Sequence, residues 1–169
     1  MSDHQPTFML FCSQSIFIGI GATLMIDSWA QVLRRAWRIK TLDYALVGRW
    51  LGHLTRFTIK HDTITRSPKV AGEVPLGWLA HYLIGIIFAA CFLAIIDPQW
   101  MLEPKVIPAT VFGLVTVSFP FFVLQPSFGV GVASAKSPNP LRARLVSLST
   151  HLAFGFGLFV SAEVYHALI

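Results

Sequence analysis

The sequence predicts an all-α polytopic membrane protein, a single domain over residues 1–169. Its architecture is a bundle of four transmembrane helices with a short cytoplasmic amphipathic helix between spans 1 and 2. Three observations carry this. Apolar residues make up 54 % of the chain and charged residues only 12 %, and a mean hydropathy of +0.64 lies outside the range of soluble domains. Four apolar segments reach the roughly 20 residues that a helix needs to cross a hydrocarbon core of about 30 Å. The basic residues collect in the connections between those segments.

The spans are expected at about residues 8–33, 74–96, 106–124 and 145–168. The connection 34–73 holds nine Lys and Arg (Arg34, Arg35, Arg38, Lys40, Arg49, Arg56, Lys60, Arg66, Lys69). Residues 126–144 hold three more (Lys136, Arg142, Arg144), and the remaining one is Lys105. By the positive-inside rule both basic connections are cytoplasmic. Both termini then lie outside, on the side opposite the two basic connections. The formal charge of +5 is explained by this orientation, and no nucleic-acid motif accompanies it. The lipid bilayer is therefore the expected partner, and nucleic acid is not.

Cys12 and Cys91 both fall in apolar runs with no C-x-x-C spacing, which argues against a zinc site or a dithiol. Asp3 and His4 precede the first apolar run with no Lys or Arg, so a cleaved secretory signal is not expected.

In the first span Ser15, Gly19, Thr23 and Asp27 recur every four residues, placing small and polar groups on one helical face. The connection that follows is only partly loop. From Thr41 to Phe57 the apolar Leu42, Leu46, Trp50, Leu54 and Phe57 share one face, while Asp43, Arg49, His53 and Arg56 fall elsewhere. Thr41 is the expected N-cap. Such a helix either lies in the headgroup region or folds under the bundle and closes its mouth. His53 and His61 are expected on the solvent side.

Residues 60–75 read as loop, and Pro75 suits the first turn of the second span. There Gly77, His81, Gly85 and Ala89 form a line of small residues around one imidazole. Hydrocarbon offers a ring nitrogen no partner, so His81 is expected to face protein or trapped water. Asp97-Pro98 ends this span, and Trp100 is expected at the outer interface. Pro120 and Gln125-Pro126 predict two breaks in the third span, with Gln125 satisfying the freed backbone. The last span repeats the spacing of four with Ser147, His151 and Gly155.

Counted from the basic connections, Asp27 lies seven residues from Arg34, His81 eight from Glu73 and His151 seven from Arg144. Each is roughly 10–12 Å of helix rise. With Gln125 at a comparable level, four helices place one polar side chain each in one layer. The candidate intramembrane site is thus Asp27, His81, Gln125 and His151, expected to share a pocket. A candidate cytoplasmic-face site comprises Asp43, Arg49 and His53.

The ordered strings G-I-G-A-T-L-M-I-D (19–27), L-D-Y-A-L-V-G-R-W-L-G-H (42–53), L-G-W-L-A-H-Y-L-I-G-I-I-F-A (76–89), Q-P-S-F-G-V-G-V-A-S (125–134), S-P-N-P (137–140) and H-L-A-F-G-F-G-L (151–158) cover nearly the whole chain. They resemble the bacterial membrane family called domain of unknown function 2938. The resemblance implies a four-span inner-membrane protein and brings no activity with it. The family's motif positions correspond to Asp27, Asp43, Arg49, His53, His81, Gln125 and His151.

The function classes left open are a small transport or proton/cation permeation module, a scaffold whose polar layer fixes helix register, and a membrane redox module. Histidine titrates near neutral pH, as a relay requires. Four helices barely enclose a path, so a homodimer would be needed. The redox class rests on His81 and His151 at matched depth, which could ligate a b-type haem or, with Asp27, a divalent metal. Two histidines without further ligand spacing leave any metal unassigned, and no cofactor is the expectation. An enzyme acting on lipid headgroups lacks a nucleophile motif.

Overall fold

The computed structural model describes residues 8–168, so Asp3 and His4 lie outside the described residues. Among the described residues there are five helices and no strand. They are α1 (Phe8–Trp37), α2 (Tyr44–Leu54), α3 (Glu73–Ile95), α4 (Val106–Ser127) and α5 (Pro140–Leu168). All but α2 are long and apolar enough to cross a membrane, making this a multi-pass membrane protein. Twelve of the thirteen basic residues gather at one end of the bundle, called here the basic end.

Going round the bundle, α3 packs on α1, α1 on α5, and α5 on α4. Aromatic contacts close the ring between α4 and α3: Phe88 meets Phe119 at 6.2 Å and Phe92 meets Phe112 at 5.1 Å. Small residues let the backbones approach where the sequence sets them at spacings of four. A side chain on Gly19 would run into Ile86 of α3, and one on Gly113 into Gly155 of α5. In the half away from the basic end, Ile18, Ala22, Ala89, Phe92, Phe154 and Leu158 form a core with almost no exposed surface. Trp100 belongs to that core. It is 5 % exposed, packs edge-on against Phe92, and donates its Nε1–H to the Lys105 carbonyl, so it faces the core at the end of the bundle away from the basic residues.

Several boundaries differ from expectation for local reasons. Helix α1 continues to Trp37 and stops at Arg38, whose φ of +53° is a conformation favoured by glycine. Arg38→Gly is expected to raise stability by up to about 1 kcal/mol, seen as a higher thermal midpoint in detergent; a lower midpoint would show that the arginine side chain matters more than its backbone. Helix α5 begins at Pro140, because Asn139 Oδ1 accepts the Arg142 N–H at 3.0 Å and caps the turn.

In α4 the expected break at Pro120 is a widened turn over Pro120–Leu124, where the Gln125 N–H reaches back five residues to the Pro120 carbonyl. The helix then continues to Ser127, so the second expected break is its end. Gln125 does not serve the freed backbone; its side chain is bonded to Ser134 and Ser147.

Helix α2 is capped by Asp43, whose Oδ1 accepts the Ala45 N–H at 3.0 Å, and not by Thr41. It is docked on the bundle. It folds against α3 so closely that a Cβ on Gly48 would fall on the Glu73 carbonyl and one on Gly77 on the Tyr44 carbonyl. Of the expected apolar face, Trp50 is buried while Leu42 and Phe57 are exposed.

Candidate functional site

The small and polar face of α1 meets Gly85 and His81 of the small-residue line of α3, while Gly77 of that line meets α2. Thr23 tucks its hydroxyl onto the Gly19 carbonyl at 2.7 Å and lies against Gly85. One turn nearer the basic end, Asp27 comes opposite His81. The His81 Nε2–H donates to Asp27 Oδ1 at 3.1 Å, and the Tyr82 hydroxyl donates to Asp27 Oδ2 at 3.0 Å. Both carboxylate oxygens are therefore engaged from a single helix.

Helix α2 supplies the cover. The Tyr44 ring stacks on the His81 imidazole with centroids 3.9 Å apart, and Trp78 stands edge-on to the same imidazole at 5.9 Å. Burial pushes the Tyr44 hydroxyl above its ordinary range, and the nearby Asp27 carboxylate adds to the shift. The pair is not sealed: the Asp27 side chain keeps 22 % of its surface and that of His81 11 %. A carboxylate held by an imidazole and a phenol can bind or release a proton while keeping both partners. Protonated, Asp27 gains an O–H that can donate to the Tyr82 oxygen while its carbonyl oxygen still accepts the His81 N–H, so one bond reverses direction.

The other two residues of the expected layer face elsewhere. His151 Nδ1 lies 2.7 Å from Thr116 Oγ1 on α4, and that hydroxyl donates onward to the Gly113 carbonyl at 2.6 Å. Gln125 donates to Ser147 Oγ at 3.3 Å and accepts from Ser134 at 3.0 Å. The shared pocket is thus corrected to three separate ties. The cause is helix order: α3 and α5 are not neighbours in the ring, so His81 leans on α1 while His151 leans on α4. His81 Nε2 is thus engaged by Asp27 and His151 Nδ1 by Thr116. Among the described residues no cluster of three or more His, Cys, Asp or Glu is arranged to hold a metal ion.

At the basic end, Asp43, Arg49 and His53 do not converge either. Asp43 is the helix cap. Arg49 is buried and makes two parallel bonds to Glu73, Nε to Oε2 and Nη2 to Oε1, each 2.8 Å. Its Nη1 reaches the carbonyls of Ile64, Thr65 and Ser67 at 3.1–3.4 Å. The bond to Glu73 raises the guanidinium pKa further above its ordinary value. His53 is buried, which corrects its expected solvent position, and its Nδ1 lies 2.8 Å from His61 Nε2. The main chain of His61 is in turn held by Ser127 at the end of α4, its N–H 2.9 Å from that carbonyl. This knot fastens α2 and the loop after it to α3 and α4.

A model of a family described as a protein of unknown function, DUF2938, matches residues 16–165, most of the chain. The chain belongs to this family. No curated protein and no solved structure matches it. In this DUF2938 member the matched region takes in every side chain of the three intramembrane ties and of the basic-end knot.

Sequence reasoning missed Tyr82, Tyr44, Thr116 and Glu73. Tyr82 follows His81 directly, about 100° around the helix, so spacing rules separate the two although both reach one carboxylate. Glu73 lies 24 residues from Arg49, and only the Gly48–Gly77 crossing brings them together. The available signal was that this DUF2938 chain has a lone acid at the start of an apolar span, beside a connection rich in Arg.

Proposed function

We propose that the protein is a small transport or proton/cation permeation module of a bacterial inner membrane, with Asp27 and His81 as its proton-exchanging pair. The observation that supports this reading is the carboxylate inside α1 held by the imidazole and phenol of α3. An ionisable pair inside a span is costly to insert, and such pairs mark ion and proton routes. Histidine changes charge near neutral pH, which suits it to pass a proton to a carboxylate. The basic end faces the cytoplasm and both termini face the periplasm, in keeping with the positive-inside rule. A second copy of the chain supplies the wall that four helices lack.

Proteoliposomes carrying a pH-sensitive dye test this. Asp27→Asn and His81→Ala are each expected to abolish proton flux that the parent protein supports, while His151→Ala retains it. Flux equal to the parent's in both Asp27→Asn and His81→Ala contradicts the reading.

A second reading, a scaffold whose polar ties fix helix register, is favoured by one observation. Asp27–His81, Thr116–His151, Gln125–Ser147 and Trp29–Ser149 each join two different helices. Under it, the parent protein carries no flux, and all four ties contribute to stability alone.

A further inference from the structure

A groove of about 410 Å³ runs between α1 and α5 at the basic end, away from the Asp27–His81 pair. Its floor and walls are apolar, chiefly Trp29, Leu33, Trp37 and Leu145, and Arg142 stands at its edge. Trp37 and Leu145 each keep 57 % of their surface, so the groove opens outward. Trp29 is fixed there by donating its Nε1–H to Ser149 Oγ at 3.1 Å. Among the described residues nothing hydrogen-bonds the Arg142 guanidinium, whereas its neighbour Arg144 is spent on the Ala133 carbonyl.

Among the described residues that line the groove, Arg142 is the one that carries charge. Arg38 and Lys40, both exposed, stand next in the chain to its Trp37 and Ile39. Neither residues 28–42 nor residues 104–162 contain an acidic residue. A second copy seated here would set like charges against each other. An anionic phospholipid meets both demands: an acyl chain for the apolar floor and a phosphate for the guanidinium.

We propose that this groove binds an anionic phospholipid of the basic-side leaflet, its acyl chain along Trp29 and Leu33 and its phosphate on Arg142. Two tryptophans line the groove, which makes binding visible as quenching by lipids brominated on the acyl chain. The full-length protein is reconstituted with brominated phosphatidylglycerol or, separately, brominated phosphatidylcholine, each diluted into unlabelled phosphatidylcholine.

Phosphatidylglycerol is expected to quench more strongly. That excess is lost in Arg142→Gln, is retained in Arg142→Lys, and is lost in a Trp29→Phe plus Trp37→Phe variant, which locates it in the groove. Arg56→Gln, at the same end but outside the groove, keeps the excess. Circular dichroism confirms that each variant remains helical. Equal quenching by the two lipids overturns the proposal, as does an excess that survives Arg142→Gln or falls equally in Arg56→Gln.

Discussion

Arg49→Ala is expected to lower the thermal midpoint in detergent by several degrees and to expose the loop of residues 58–72 to protease. The substitution leaves Glu73 buried without its cation and strips three loop carbonyls of their shared donor. Removing one partner of a buried pair costs more than the pair contributes, because the remaining charge stays desolvated. Glu73→Gln should be milder, since an amide still accepts one bond from Arg49 and the Val70 N–H. Limited proteolysis with a melting curve reads both effects. An unchanged midpoint together with an unchanged cleavage pattern would mean that α2 is held by its glycines alone.

Gly77→Val is expected to have the other large effect. Its Cβ would fall on the Tyr44 carbonyl, so α2 must lift away from α3. Overpacking of a tight contact costs about 1–3 kcal/mol, and here the obstacle is backbone, which cannot rotate aside. Displacing α2 also withdraws the Tyr44 ring from His81. Reaction of the exposed imidazole with diethyl pyrocarbonate should therefore be faster in Gly77→Val than in the parent. A substitution at Gly72, where a Cβ meets nothing within 4 Å, separates crowding from backbone strain, because that residue sits at φ +75°. Gly72→Ala is expected to cost stability without speeding His81 modification.

The spans and their polar faces were legible because a membrane makes strong demands of a sequence. Spanning length, charge asymmetry and the spacing of four along α1 and α3 each follow from burying backbone and polar groups away from lipid. They led to Asp27 and His81, and the structure joins these two. Which helices are neighbours is a property of the assembled ring, and no periodicity within a single helix encodes it. His151 and Gln125 were therefore placed at the right kind of face with the wrong partners.

The basic end was harder for a different reason. An amphipathic pattern in α2 has the same form whether its apolar side meets lipid or a neighbouring helix. Only the clearance at Gly48 decides, and it depends on Gly77, nearly thirty residues later in the chain. Once α2 is docked, its polar side is roofed by loop carbonyls, which turns Arg49 and His53 from surface groups into buried ones.

The most direct measurement of the central claim is an infrared difference spectrum across pH for the reconstituted parent protein, Asp27→Asn and His81→Phe. The account predicts a carboxyl band that titrates in the parent, is missing from Asp27→Asn, and moves in frequency in His81→Phe because its imidazole partner is gone. A spectrum with no band assignable to Asp27, or an Asp27 band indifferent to the loss of His81, would contradict it.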